Sequence, residues 1–151
     1  MIKVICVGKI KEKYLSDAVY EYSKRISKYT KIEIIEVNDR DKFPINDILN
    51  KEAEDILKHI KDKDYVITLE INGNSLDSLE LAKKADNIFN NYSNLVFVIG
   101  GSYGISDIIK NRSNYSLSFS NLTFPHQLFR VMLLEQIYRV YKINNNETYH
   151  K

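Results

Sequence analysis

The stretch VFVIGGSYGIS, from Val96 to Ser106, places three glycines and a serine directly after an apolar run. Gly100, Ser102 and Gly104 fit the pattern G-x-S-x-G, which is typical of the turn that exposes the nucleophile of α/β-hydrolases. The same residues also make a glycine turn, which brings backbone amides close to a ligand without interference from Cβ atoms. Two kinds of chemistry therefore compete for this loop: nucleophilic attack by Ser102, or ligand binding in which the serine takes no part.

The hydrolase interpretation has candidates for the rest of a catalytic triad. Glu135 or Glu147 would be the acid and His150 the base, and they follow Ser102 in the chain order of α/β-hydrolases. Against it, 151 residues are few for a hydrolase sheet, and no HGG-type oxyanion loop precedes the serine. We therefore favour the binding loop and keep the serine hydrolase as an alternative.

No other short motif predicts a metal or nucleotide site. The three histidines and the single cysteine are far apart in the sequence and lack the spacing of metal ligands. The glycine loop does not have the form G-x-G-x-x-G, and a Walker lysine is missing. We predict no bound metal.

A second segment of interest, SFSNLTFPHQLFRVMLLEQIYRVYK, runs from Ser118 to Lys142. Its first part follows a predicted strand and would expose backbone N–H and C=O groups between apolar side chains. After Pro125, which suits a first helical turn, apolar residues recur at helical spacing. The apolar surface of this helix is broad, which predicts burial on two sides and hence a dimer interface.

The chain ends in NNNETYHK, which fits either a frayed polar terminus or part of a site. Tyr149, His150 and Lys151 offer an aromatic ring, a titratable imidazole and a cation, which together suit an anionic substrate. Composition alone favours the frayed terminus.

Basic residues cluster around the first helix and around the last. The first group comprises Lys9, Lys11, Lys13, Lys24, Arg25, Lys28 and Lys31, and the second Arg130, Arg139, Lys142 and Lys151. A solvated helix face is the usual explanation, and RNA binding is the alternative, with Tyr14, Tyr20 and Tyr103 available to stack on bases. The net charge of only +2 indicates no general preference for polyanions.

Length and composition predict one soluble domain. The 151 residues suffice for a sizeable core, and 44% of them are hydrophobic and 28% charged. The lone Cys6 lies in an apolar run, which predicts a buried, reduced thiol. There is no signal-peptide pattern and no apolar run of membrane-spanning length, so we expect a cytoplasmic protein without a membrane partner.

An alternation of strands and helices has to position all these residues. Predicted strands cover 2–7, 31–37, 64–70, 95–99 and 115–120, and helices cover about 15–29, 45–60, 76–89, 105–111 and 126–141. This order predicts an α/β fold with a mainly parallel sheet, helices on both faces and the fourth strand at the centre. A turn is predicted at Asn72-Gly73-Asn74. Ligands bind at the carboxyl ends of such strands, which singles out the loops after Glu70, Ile99 and Ser120.

Three segments, FVIGGSYG, SFSNLTFPHQLFRVMLLEQIYR and the terminal YHK, together resemble the SPOUT (trefoil-knot) methyltransferases, in particular the RlmH/YbeA type of ribosomal RNA methyltransferase. The resemblance covers residues 1–151 as one domain. It implies a parallel α/β sheet whose C-terminal part is threaded into a deep trefoil knot, a feature that strand and helix patterns do not reveal.

The resemblance also implies that S-adenosylmethionine is the cofactor, held by three loops at strand ends. Carried over position by position, the cofactor-binding residues are Leu69, Gly100, Gly101, Gly104, Phe119, Ser120, Asn121, Leu122, Thr123 and Phe124. These residues lie in or next to the loops that the parallel-sheet rule singles out.

The reaction that the resemblance implies is N3-methylation of a pseudouridine in the 23S rRNA of the ribosome. The enzyme would be a homodimer in which the tail of one chain contributes to the active site across the dimer. Transfer needs alignment of the methyl group with N3 and loss of the N3 proton. The candidate catalytic residues are His150 as base, Tyr149, Lys151, and Arg130 and Arg139 on phosphate or on the developing anion. A catalytically silent RNA- or ribosome-binding dimer is the third hypothesis.

Overall fold

The computed structural model describes residues 1–151, in which five strands alternate with five helices. All ten predicted elements are present, and they differ from prediction mainly at their ends. Their bounds are β1 Ile2–Val7, α1 Lys13–Ile26, β2 Ile32–Val37, α2 Ile45–Leu57, β3 Tyr65–Ser75, α3 Ser78–Asn91, β4 Leu95–Ile99, α4 Asp107–Arg112, β5 Tyr115–Ser118 and α5 His126–Asn144.

The sheet has the strand order β2-β1-β4-β3-β5, and every neighbouring pair is parallel. The middle strand is β4, with the sequence LVFVI, and all of its residues are buried. A strand covered by helices on both faces is apolar throughout rather than alternating, and β4 has this pattern. The predictions of a parallel sheet and a central fourth strand are confirmed.

Helices cover both faces of the sheet, as predicted. One core is formed with α1, α3 and α5 and includes Ile26 and Leu133, and the other is formed with α2 and α4 and includes Ala53 and Ile109. Cys6 is buried and unpaired in the first core, as expected. Its burial raises the pKa of its thiol to about 12, so the thiol stays protonated at neutral pH.

The third strand is longer than predicted. β3 continues through Asn72-Gly73-Asn74, where the sequence predicts a turn, and its pairing with β5 changes register between Leu69 and Asn74. A Cβ on Gly73 would lie 2.9 Å from the backbone of Leu117 in β5. The glycine is therefore required by the close approach of two strands and not by a turn.

The longest helix, α5, packs against α1 and α3 through a face that carries Leu133, Ile137 and Val140. Val131 and Met132 lie elsewhere on its surface and line an open groove. The apolar surface predicted on two sides of α5 is therefore present. None of the helices, α5 included, is both long and apolar enough to cross a lipid bilayer.

Because the strands are parallel, the segments that follow them leave the sheet at one edge. The glycine loop, residues 100–104 after β4, lies there beside the middle of β3 and the loop 119–125 that follows β5. This edge is where the cofactor-binding loops are expected in a parallel sheet.

Candidate functional site

A cavity of about 250 Å³ lies where β3, β4 and β5 present their carboxyl-side segments. Nine of the ten predicted cofactor-binding residues line it, namely Leu69, Gly100, Gly101, Gly104, Phe119, Ser120, Leu122, Thr123 and Phe124. The tenth, Asn121, is exposed and is not part of the lining. The fold thus brings the three predicted loops together around one cavity.

The glycine loop is closed by its own backbone. The Gly104 N–H donates to the Gly101 carbonyl at 3.1 Å, and Gly104 has a φ of +81°, which favours glycine. A Cβ on Gly100 would lie 2.5 Å from the Gly104 carbonyl oxygen, and one on Gly101 would lie 2.9 Å from Cγ1 of Val7 in β1. These glycines are therefore needed for the loop to fold on itself and against β1, whatever ligand the loop binds.

The loop after β5 is shaped by side chains of its own and by α5. The Ser120 hydroxyl accepts a hydrogen bond from the Leu122 N–H at 3.0 Å. The ring of Phe129 in α5 lies 4.7 Å from that of Phe119 and 6.0 Å from that of Phe124, measured between centroids. These contacts fix the loop across the start of α5, where it forms one wall of the cavity.

Glu70 and His126 are the ionisable side chains that line the cavity, and neither was among the predicted site residues. The buried Thr68 hydroxyl donates to Glu70 Oε2 at 2.7 Å, and Glu70 Oε1 lies 3.7 Å from Lys110 Nζ. Apolar walls with a few convergent polar groups are typical of a small-molecule site. The sequence signal that could have identified Glu70 is its position directly after Leu69, where the predicted third strand ends and a parallel sheet is expected to bind its ligand.

The C-terminal tail packs against α5 and does not enter the cavity. The Tyr149 hydroxyl donates to Glu135 Oε1 at 3.0 Å, and Arg139 forms an ion pair with the same carboxylate. The Arg139 guanidinium lies 4.8 Å from the centre of the Tyr149 ring. Burial, and then the hydrogen bond to Glu135, raise the pKa of Tyr149 to about 12. Tyr149 therefore keeps its proton at neutral pH and acts as a donor, not as a base.

His150 is held by the same arginine. Its Nδ1 lies 3.1 Å from Arg139 Nη1. A guanidinium only donates hydrogen bonds, so Nδ1 is the acceptor, and the neutral imidazole carries its proton on Nε2. The lone pair that a base would use is occupied in this arrangement.

An open groove of about 660 Å³ runs between α3, α5 and the tail. Its lining includes Leu79, Met132 and His150, and it shares Leu117 and Phe119 with the cavity at the strand ends. The predicted catalytic tail thus lies next to the cavity within one chain, with an apolar groove between them that opens to solvent. Lys151, the last residue, is exposed.

Arg130 is not available to a phosphate in this structure, contrary to expectation. Its side chain is 2% exposed, its Nη1 lies 2.6 Å from Glu36 Oε2, and its Nη2 donates to the Gly8 carbonyl at 3.1 Å. The guanidinium joins α5 to the ends of β1 and β2. The sequence did not reveal the burial of Arg130, because a buried arginine and an exposed arginine can occupy the same positions in a helical pattern.

Comparison with known proteins decides the family. The family model described as "Predicted SPOUT methyltransferase" matches residues 1–150. The chain belongs to the SPOUT methyltransferase family. It is similar to proteins named ribosomal RNA large subunit methyltransferase H: it is 55% identical to that of Clostridium tetani over 158 residues, 53% to one of Clostridium botulinum over 160, and 52% to that of Caldicellulosiruptor saccharolyticus over 154. Each match covers 99% or more of both chains.

The prediction of a SPOUT methyltransferase, an enzyme that uses S-adenosylmethionine, is therefore confirmed. The geometry gives no support to the hydrolase alternative. Ser102 lines the cavity at the strand ends, whereas His150 is bonded to Arg139 and lines the groove, and Glu135 is paired with Arg139 and Tyr149. The match of this SPOUT chain to G-x-S-x-G is a coincidence of loop composition.

Proposed function

We propose that this SPOUT methyltransferase transfers a methyl group from S-adenosylmethionine to N3 of a pseudouridine in the 23S rRNA of the ribosome. Its relatives are named for the large-subunit ribosomal RNA and match the chain from end to end, which supports the substrate class. The observation that carries the proposal is the cavity at the strand ends, because nine residues expected to bind the cofactor converge on it.

The residues of the cavity fit this cofactor. S-adenosylmethionine, when bound, supplies the methyl group from a positively charged sulfonium. Phe119, Phe124 and Leu122 provide apolar contacts for the adenine ring of the cofactor. The loop backbone provides hydrogen-bonding groups for its ribose and its amino-acid part. Glu70 places a carboxylate in the lining, which suits a cationic ligand. The glycine loop holds its shape through its own backbone and therefore presents a preorganised surface.

The chemical step also requires loss of the N3 proton. We propose His150 as the acceptor, since its Nδ1 accepts a hydrogen bond and could take a proton once it turns away from Arg139. Arg139 and Lys151 would then stabilise the deprotonated imide as cations, and Tyr149 would donate a hydrogen bond. Arg130 supports the site from below the surface and takes no part in the transfer.

We further propose that the active enzyme is a homodimer in which the tail of one chain reaches the cofactor cavity of the other. The open apolar groove supports this arrangement, because it adjoins the cavity and leaves Leu79 and Met132 uncovered in one chain. The segment from the glycine loop through α5 would be threaded as the family's trefoil knot, and the whole chain would act as one domain. These are expectations from the family and from the arrangement of loops at the cavity.

Methyl transfer to ribosomes tests the function. Purified protein is incubated with tritium-labelled S-adenosylmethionine and either intact ribosomes or free 23S rRNA, from cells that lack this methylation. We expect label on 23S rRNA, at N3 of one pseudouridine when the RNA is digested and analysed. No label on either substrate would refute the enzymatic proposal and leave an RNA-binding dimer as the better description.

Ser102→Ala separates methyl transfer from hydrolysis. Methyl transfer should largely survive, because Ser102 contributes only one side chain to the cavity lining. A nucleophile, in contrast, cannot be lost without loss of turnover. A variant without activity but with normal cofactor binding would return Ser102 to a chemical role.

A further inference from the structure

We propose that Lys9 and Lys11 form a phosphate-binding pair that holds the RNA substrate beside the cofactor cavity. The inference rests on the proposed function and names the surface that would contact the RNA backbone. Both lysines lie in residues 8–12, which join β1 to α1 and are called the β1 loop here. Neither belongs to the cavity or to the tail.

The β1 loop leaves the sheet next to the glycine loop. β1 and β4 are parallel neighbours with Cys6 opposite Ile99, so the segments that follow them emerge side by side. The glycine loop also approaches the end of β1, because a Cβ on Gly101 would lie 2.9 Å from Cγ1 of Val7, the residue before the β1 loop. A substrate bound at the cavity would therefore extend over the β1 loop.

The other end of the β1 loop is attached to the start of α5. The Lys11 N–H donates to Gln127 Oε1 at 3.2 Å, and the residue before Gln127, His126, lines the cofactor cavity. The pairing of β1 with β4 and this hydrogen bond thus place both ends of the loop near segments that line the same cavity.

The ion pair between the buried Arg130 and the exposed Glu36 fixes the loop backbone. Arg130 donates to the Gly8 carbonyl at 3.1 Å, and Glu36 Oε2 accepts both from Arg130 at 2.6 Å and from the Ile10 N–H at 3.0 Å. A loop attached at three residues loses little conformational freedom when a ligand binds to its side chains. Arg130 is therefore a positioning residue for the pair of lysines.

The lysine side chains themselves are free. Lys9 and Lys11 are exposed and take part in no ion pair, whereas the next lysine, Lys13, lies 2.8 Å from Asp17. The carboxylate that holds the loop, Glu36, is exposed but paired with Arg130. Two other acidic residues are near: Glu12 lies in the loop, and Asp39 Oδ2 would lie 3.8 Å from a Cβ on Gly8. Unpaired ammonium groups on a fixed backbone suit phosphate, which they bind as point charges without reading sequence.

The chain offers a matched control at the opposite edge of the sheet. Lys61 and Lys63 have the same i, i+2 spacing, are exposed and form no ion pair, but they precede β3 and so lie at the amino ends of the strands. Replacing either pair by alanine removes the same charge. A difference between the two double variants therefore reports position and not net charge.

The experiment compares wild type, Lys9→Ala/Lys11→Ala and Lys61→Ala/Lys63→Ala. Affinity for free 23S rRNA is measured over a series of KCl concentrations, KM and kcat are measured with ribosomes, and S-adenosylmethionine affinity is measured by calorimetry. We expect the slope of log affinity against log salt to fall by about one for each lysine of the β1 loop. KM for ribosomes should rise, while kcat at saturation and cofactor affinity stay within twofold of wild type. The control should resemble wild type throughout.

Three outcomes would overturn the proposal. An unchanged salt slope and KM in the Lys9/Lys11 variant would show that no phosphate is bound there. An equal change in the Lys61/Lys63 variant would show a general charge effect, and a loss of cofactor affinity would assign the loop to the cofactor site. If wild type transfers no methyl group, the proposed function fails by itself, and the salt slopes still decide whether the lysines bind RNA.

Discussion

The cofactor cavity and the C-terminal tail are built in different ways, although they are neighbours. The cavity consists of loop backbone and apolar rings, and its glycine loop is closed by contacts between Gly100, Gly101 and Gly104. The tail is attached to α5 through the polar groups of Glu135 and Arg139. The shape of the cavity therefore comes from backbone packing within one chain. The position of the tail depends on a few hydrogen bonds near the surface.

This difference implies that cofactor binding and methyl transfer are separable properties. A cavity formed by packed backbone is ready to bind before any substrate arrives, since nothing in it has to be ordered. The tail contacts are few and at most partly buried, so the tail can exchange this position for another at small cost in free energy. Variants that alter one region and leave the other intact test whether the two properties are independent.

Gly100→Val should have the largest effect, because it damages the cavity itself. The new side chain would overlap the Gly104 carbonyl oxygen, 2.5 Å from the Cβ position, and that backbone cannot yield without opening the loop. We expect S-adenosylmethionine binding to be lost and the free energy of unfolding to fall by about 1–3 kcal/mol. Calorimetric titration and thermal unfolding measure the two effects.

Tyr103→Val is the control for this variant, since it puts the same side chain at an exposed position of the glycine loop. It should bind the cofactor nearly as well as wild type. Unchanged cofactor affinity in Gly100→Val would mean that the cavity has been assigned to the wrong ligand.

Removal of residues 149–151 should have the next largest effect, and only on transfer. The truncated chain keeps every residue of the cofactor cavity, so its affinity for S-adenosylmethionine should stay close to that of wild type. Loss of the proposed proton acceptor should lower kcat by about 100-fold or more. Removal of Lys151 alone separates the contribution of the terminal cation from those of Tyr149 and His150. A truncated enzyme with full activity would show that the tail is only a polar terminus.

The sequence predicted the cavity better than the tail, and the reason lies in how each is encoded. Parallel strands such as β4 are recognised by continuous apolar runs. Once the strands are predicted, their carboxyl ends locate the edge of the sheet at which a ligand is expected to bind. The glycine loop could be located in this way. Why positions 100 and 101 must be glycine is seen only in the folded chain, where a Cβ at either position would be too close to a neighbouring atom. The extension of β3 beyond Glu70 was missed, because Gly73 signals a turn and a close strand contact equally well.

Side chains whose role depends on distant partners could not be assigned from their spacing. Arg130 is paired with Glu36, which is 94 residues away in sequence, and helical periodicity alone does not distinguish this from a surface position. Tyr149 and His150 depend on Glu135 and Arg139 in the same manner. Their burial and bonding are properties of the folded chain, whereas the family resemblance indicates only that the tail is used.

Glu135→Gln should have the smallest effect of the three, and it tests what holds the tail. Burial is the larger cause and the Glu135 carboxylate the second cause of the raised pKa of Tyr149, which is about 12 against an ordinary value of 10. Because the folded value is raised, the stability that Tyr149 contributes is fully present below pH 10 and is lost as the pH rises through about 12. In Glu135→Gln the pKa of Tyr149 should fall but remain above 10, since the burial persists. The pH at which the tail detaches should fall with it.

Tyrosinate absorbance measures this shift when each protein is compared with its Tyr149→Phe counterpart, because the difference isolates one tyrosine among eleven. Glu147→Gln is the matched control, since the Glu147 carboxylate accepts from Tyr29 at 2.9 Å and does not touch Tyr149. An unchanged titration of Tyr149 in Glu135→Gln, or an equal shift in Glu147→Gln, would show that Glu135 does not hold the tail. Tyr149 would then be held by ring packing, with Tyr138 at 4.9 Å between centroids as its main contact. Its attachment would in that case resemble that of the cavity loops, and the contrast between the two regions would disappear.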